Sequence, residues 1–509
     1  MRGNRLLGRL GGGRVTGSVG RRTFLGGVAA VAAGPALVRC SPKPRELSLW
    51  NFYGPGGQQK SQSDWFVQLA EEWNDTHDIK VRLRYVPNKD YKSGPTLQTS
   101  FSAGAGPDVF LLSPGDFLRY YNGGALADLT PHLDPSVRED FLPLVLETRL
   151  VADRVYGLPM EIEPLALYYS EEIFEQEHLS EGDLPRTWDQ LLDLAQRLTN
   201  RDRFGLLLET NPGYYANSTF YQSMWMAGGE VFSPDHRRAA FDSPGVHQAL
   251  RFWQDTVRLG VAPRRVRGTG GNDSISNIAD GYCAMQHLGI WGIAEIAEQA
   301  PDFRYGVLPM PAPADGAYTT ALGSWAVVAN ARSENADAAA EFVVWALGST
   351  DPASIDRMRR WNTVAKTNIP PRRSVQRAAE ERGAFDDGPM RVFADEVMAE
   401  ARSEPRYPPE VYRAVSDALQ SCHLDGGDPA EVAGAAAEQI DTFLSTYEGA
   451  DRVSRTRRSD ATAAAAFLRL TRSVCCCSSP CPRCSRCWWA SSRSTASATS
   501  TARAWRTSA

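Results

Sequence analysis

The body of this 509-residue chain is poor in cysteine, in positive charge and in recognisable catalytic motifs. Only Cys283 and Cys422 lie between residues 41 and 451, far apart in a strand-like and a helix-like segment. A disulfide framework is thereby excluded, and a single bridge between the two stays an open question. No G-x-S-x-G elbow, H-E-x-x-H pair or phosphate-cradling lysine loop occurs, and the seven histidines are scattered rather than paired for a metal. The sequence therefore gives no catalytic residue, no metal site and no cofactor. Residues 1–40 carry seven Arg and no acid, and residues 452–509 carry eleven Arg and one Asp. The formal charge of −5 thus leaves −22 for residues 41–451. So acidic a body argues against nucleic acid or an anionic membrane as partner, because like charges repel at long range.

What is present is the composition of a globular protein, with 42% hydrophobic residues and 10% aromatics, in a chain long enough for two or three domains. The first 40 residues read as an export address. Arg21 and Arg22 precede Phe24 and Leu25 in a twin-arginine-like pattern, and the apolar run Phe24–Val38 is too short to span a bilayer comfortably. "LVRC" offers Cys40 for lipidation, with Arg39 departing from the small residue expected before it.

From Glu46 onward, period-two strands alternate with amphipathic helices, the grammar of an α/β fold with helices covering a largely parallel sheet. "SDWFVQLAEEWNDTH" puts Phe66, Leu69, Ala70 and Trp73 on one helical face, and "DVFLLS" reads as a fully buried strand with a helix from Gly115. Thr187 and Gln190 have capping-box spacing, and Ser243–Pro244 and Asp428–Pro429 start two later helices. Aromatics recur at strand ends and helix starts: Phe52 and Tyr53, Tyr214 and Tyr215, Trp225, Trp291, Trp325 and Trp361. Trp73, Trp188, Trp253 and Trp345 fall at helix starts or core spacing and are assigned to packing. Flat aromatics among carboxylates and amides suit a pyranose, which offers an apolar C–H face and a ring of hydroxyls. Glu161 and Glu163 invite comparison with a glycosidase pair, but in a strand they project from the same face about 7 Å apart and neither has an evident partner, which counts against that role.

Six segments in order resemble the family-1 extracellular solute-binding proteins of ABC importers: "GAGPDVFLLSPGDFLRYYNGGALADLTPHL", "VYGLPMEIEPLALYYSEEIF", "LPRTWDQLLDLAQRL", "GYCAMQHLGIWG", "YGVLPMPAP" with "LGSWAVVAN", and "AAEFVVWAL". The resemblance covers about residues 46–447 and implies a two-lobed, periplasmic-binding-protein-like α/β fold with a hinge and an interlobe cleft. It assigns 46–153 plus about 303–350 to the first lobe and 154–302 plus about 351–447 to the second. Loops at the carboxyl ends of strands would face the cleft, which nominates Phe52, Tyr53, Asp116, Glu161, Trp225, Trp291, Ser324, Trp325 and Arg373, with Arg372 an equal bearer of the last role. The implied protein is an exported monomer at the cell surface, anchored if Cys40 is lipidated, that binds a sugar or oligosaccharide and passes it to permease subunits. A secreted glycoside hydrolase and a binder of a non-sugar solute are the alternatives.

Residues 452–509 do not fit this scheme. They hold six of the nine cysteines, in "SVCCCSSPCPRCSRCWW", crowded into C-x-x-C pairs without the spacing of a folded zinc unit. Cys and Trp codons begin TG and the commoner Ser codons TC, so a frame starting at each third base turns thirteen of the nineteen residues 474–492 into apolar ones. That hidden run has the length of a membrane span and follows the basic "RTRR". The tail is expected to be a frameshifted read-through into a neighbouring permease gene and, like the signal, disordered.

Overall fold

The computed structural model describes residues 46–451 except 58, 93, 268–273 and 387. The export signal with Cys40 and the cysteine-rich tail with its frame reading lie outside the described residues.

Two sheets organise the chain. The first runs in the order Lys80–Tyr85, Glu46–Asn51, Val109–Leu112, Ala326–Ala329, Leu158–Pro159. Its first three strands are parallel and the last two are joined by antiparallel pairing. Parallel strands need a crossover, and the helix Lys60–Thr76 supplies one, burying Phe66, Leu69, Ala70 and Trp73 as the sequence pattern predicts and Trp65 beside them. Val109–Leu112 is buried at all four positions, and the helix Pro114–Asn122 follows with Ser113 at its cap position.

The second sheet runs Ala401–Ser403, Thr320–Gly323, Glu163–Ser170, Cys283–Gly289, Phe204–Leu207, with Tyr305–Leu308 also paired to Glu163–Ser170. Alternate residues of its central strand enter opposite cores: Leu165 and Leu167 join one, Ala166 and Tyr168 the other. This is the period-two consequence of a strand covered on both faces. Cys283 and Cys422 are both buried free thiols, in separate cores.

Strand pairing moves two exchange points away from those the resemblance implies. Leu158–Pro159 pairs within the first sheet, although 154–302 was expected in the second lobe, and Tyr305–Leu308 and Thr320–Gly323 pair within the second. The chain thus crosses at 160–162 and again at 324–325. Residues 352–380 also return to the first core, through Met358, Trp361, Ala365 and Val375, whereas Met390 and Phe393 belong to the second side. The physical reason is that a strand joins whichever sheet edge completes its hydrogen bonds, a choice that hydropathy does not encode.

Local capping follows the sequence closely. Thr187 and Gln190 form a reciprocal capping box at Trp188–Leu198, and Asp428 accepts from the amides of Ala430 and Glu431 at Pro429–Thr446. Each such cap contributes about 1 kcal/mol. Ser243 precedes Pro244–Arg258 as expected, but its side chain makes no capping bond.

Candidate ligand cleft

A cavity of about 320 Å³ opens where the two sheets meet, lined from the first side by Phe52, Tyr53 and Lys92, from the second by Tyr214, Tyr215, Trp291 and Glu295, and at the crossings by Glu163, Ser324, Trp325 and Lys366. The aromatic wall is built by local backbone devices. Asn51 ends its strand by accepting from the amides of Tyr53 (2.9 Å) and Gly54 (2.7 Å), a turn that swings Phe52 and Tyr53 to the strand's carboxyl end. Phe52 meets Trp325 edge to face at 4.7 Å, and Tyr214 meets the same indole at 6.0 Å. On the opposite wall Tyr215 packs against Trp291 at 5.6 Å. Gly289 is what lets that indole lie back over its own strand, because a Cβ there would come within 1.8 Å of the Trp291 ring. Gly213, at φ +140°, gives the helix Tyr214–Met226 an entry that L side chains rarely adopt.

The crossings carry a buried ion cluster. A π-type turn over Trp361–Ala365 bonds the Lys366 amide to Trp361 O at 2.8 Å, and Asn362 Nδ2 donates to Met160 O at 3.0 Å, which fixes Lys366 beside the first crossing. Lys366 Nζ pairs with Glu163 and lies 3.3 Å from Glu161 and 3.1 Å from the Tyr53 hydroxyl. Trp361 Nε1 donates to the second Glu161 oxygen. Burial opposes charge on Lys366, but Glu161 and Glu163 outweigh it and hold the ammonium above its ordinary range. Burial pushes Glu161 up to about 7, with Lys366 pulling the other way. Arg149, fully buried, donates to Leu112 O (3.1 Å) and Ser324 O (2.7 Å) and so ties the second crossing to the end of a first-sheet strand.

Of the residues nominated from sequence, Phe52, Tyr53, Trp291, Ser324 and Trp325 come together in the cavity wall. Asp116 lies beside it in a small pocket behind Trp325, 3.4 Å from Arg119. Glu161 is fully buried behind the wall, held by Lys366 and Trp361. Trp225 packs in the second core with Arg402 stacked 4.2 Å over its ring, because its helix is buried nearly all round. Arg373 donates to Glu139 O and Phe141 O, and Arg372 pairs with Asp140 at 2.8 Å, so both spend their donors on binding chain segments together. The tryptophans assigned to packing do pack: Trp73, Trp188 and Trp253 are buried, and half-buried Trp345 lies under Arg357.

Sequence reasoning missed the charged lining: Lys92, Lys366, Glu209, Glu295 and Glu404. Tyr91 places Lys92 by accepting from the Leu111 amide at 2.8 Å, which pins the short helix Asn88–Lys92 to the sheet. Burial lowers Lys92 to about 8 and raises Glu295 and Glu404 to about 8. Glu209 accepts from the amides of Thr210 and Asn211.

Comparison with known proteins meets this geometry. Residues 57–351 match the sequence profile of the bacterial extracellular solute-binding proteins. A lipoprotein of Streptomyces antibioticus is 31% identical over 49% of this chain, a match that spans 56% of the relative's own length. The galactooligosaccharide-binding protein of Bacillus subtilis is 24% identical over 62% of this chain and 72% of its own. Among solved structures, an ABC transporter solute-binding protein of Thermotoga lettingae bound with α-D-tagatose superposes with a TM-score of 0.68 at 24% identity, covering 79% of this chain and all of that one. Its fold is the same mixed α/β, two-lobed architecture. With more than half its length matched by the family's own profile, the chain belongs to the bacterial extracellular solute-binding protein family.

Proposed function

We propose that this protein binds a sugar or oligosaccharide in the cleft and delivers it, chemically unchanged, to the permease of an ABC importer. The observation that carries this reading is the wall of flat aromatic rings, Phe52, Trp325, Tyr214, Tyr215 and Trp291, set among carboxylates, lysines and hydroxyls in one cavity between two lobes. Rings cover the C–H faces of a pyranose while the polar groups take its hydroxyls. The names of the relatives point the same way. Five nominated residues, Phe52, Tyr53, Trp291, Ser324 and Trp325, are the proposed ligand contacts. Binding without chemistry fits the state of the two strand carboxylates: Glu161 and Glu163 share one lysine, and Glu161 lies behind the wall, so they do not stand across a sugar as a hydrolase requires. By the same reading the protein works outside the cytoplasm as a monomer, held at the membrane through Cys40.

A thermal-shift screen of sugars and oligosaccharides tests the reading, since a ligand that binds only the folded state raises the melting temperature. Trp291→Ala is expected to weaken the best ligand at least about tenfold by calorimetry. Release of labelled monosaccharide from an oligosaccharide would favour the hydrolase instead. Export of a Cys40→Ala protein into the medium, with the parent retained on cells, tests the anchor.

A further inference from the structure

The cleft holds more acid than its lysines neutralise. Lys366 is committed to Glu161 and Glu163, which leaves Lys92 as the lysine nearest the remaining acids. Glu295 and Glu404 also line the cavity, at 5% and 2% exposure, and Glu295 Oε2 and Glu404 Oε1 have no hydrogen-bond partner. A buried carboxylate left this way is costly unless something enters to satisfy it. A second feature shows what the cavity accepts. Lys92 Nζ lies 4.7 Å from the Phe52 ring centre and 5.1 Å from that of Trp325, so a positive charge already rests on the two aromatic faces of the first side.

We propose that the ligand is an amine-bearing saccharide, whose ammonium displaces Lys92 from the faces of Phe52 and Trp325 and pairs with Glu295, while Glu404 accepts from a further donor of the same molecule. The proposal rests on the saccharide reading above and narrows it. The charged groups around Glu295 are Lys366, Lys92 and Glu163, with Gln59 as a hydrogen-bond donor, and those around Glu404 are Arg149, Asp116 and Glu163. Lys89 and Glu209 complete the charged lining. Burial pushes both acids up to about 8, so an ammonium entering beside Glu295 draws off its proton and forms a charge-assisted pair.

The test is calorimetry at pH 7 with a glucosamine oligosaccharide, its N-acetylated counterpart, the all-hydroxyl oligosaccharide of the same length, and a simple alkylamine. The amine-bearing sugar is expected to bind at least about tenfold tighter than either neutral sugar and to release protons, seen as a dependence of the heat on buffer ionisation. Glu295→Gln should erase that preference, bringing the amine-bearing sugar to within about threefold of the neutral ones. Lys92→Met, which removes the internal competitor, should tighten amine binding. Equal affinity for the neutral sugars, or a preference that survives Glu295→Gln in a protein with an unchanged melting temperature, overturns the proposal while leaving the saccharide reading intact. Binding of the alkylamine with no sugar bound supports the amine chemistry and removes the saccharide. Binding of none of the four removes both.

Discussion

Two pairs of buried carboxylates in the same cleft live in opposite states. Glu161 and Glu163 are gathered by Lys366, with Tyr53 and Trp361 adding hydrogen bonds, at the point where the chain passes between the sheets. Glu295 and Glu404, which line the cavity, are as deeply buried but each keeps one oxygen without a hydrogen-bond partner. The difference separates structure from function. A satisfied cluster repays its desolvation within the protein and fixes the crossings, whereas an unsatisfied acid does not, and under the proposal above its partner arrives with the ligand.

The largest way to break this contrast is Lys366→Met, which should convert the first pair into the second kind. Leaving two carboxylates buried without their cation is expected to cost about 3–5 kcal/mol in urea unfolding. A loss below about 1 kcal/mol would show that the cluster does not hold the crossings.

Titration sharpens the contrast next. Glu295 and Glu404 are raised to about 8 in the folded protein, so their contribution is fully present below the unfolded carboxyl pKa and is lost as pH rises through 8. The two acids should therefore take stability from the ligand-free protein from about pH 5 to 8, by about 1.4 kcal/mol per pH unit for each acid at most. The doubly substituted Glu295→Gln, Glu404→Gln protein should lose markedly less stability between about pH 6.5 and 8 than the parent, with Glu161, raised to about 7, keeping a remainder. The buried histidines set the other limb: His287 is lowered to about 4 and His423 to about 3 by burial, so their contribution is present above the unfolded pKa and lost as pH falls toward 3. An unfolding series from pH 3 to 9 that showed no maximum near pH 5–6 would contradict both assignments.

Smaller effects come from residues that sequence placed in the cleft and the fold did not. Arg373→Ala removes donors to Glu139 O and Phe141 O and should lower stability by about 1–2 kcal/mol without changing ligand affinity. Trp225→Phe should be the mildest, leaving affinity within about twofold, since its ring lies in the second core and not in the cavity wall. A marked loss of affinity in either variant would return that residue to the site.

How much of this was legible beforehand depends on the range of the interaction. That Phe52, Tyr53, Trp291 and Trp325 would line a cavity was legible because an aromatic at or just past the end of a strand is a local signal, and the capping box at Thr187 and the cap at Asp428 are local too. Trp225 failed the same test because its helix, unlike most, is buried on every side, leaving its polar face no different in exposure from its apolar one. Lys92, Glu295 and Glu404 carry no sequence signal for the site: Lys92 and Glu404 sit in polar stretches that read as solvated surface, Glu295 is a lone acid in an apolar helix, and only the approach of a second wall buries them together.

The sequence by itself determined the alternation of strands and helices, the helix ends, the family likeness and the aromatic character of the cleft, because each of these is written in spacings of two to four residues or in ordered local segments. The tertiary structure decided the rest. Which strand closes which sheet, which glutamate meets Lys366 and which keeps an unpartnered oxygen all depend on desolvation and on partners far away in the chain, about 200 residues in the case of Lys366. Burial and charge pairing act through space, and no reading along the chain contains them until the fold has brought the walls together.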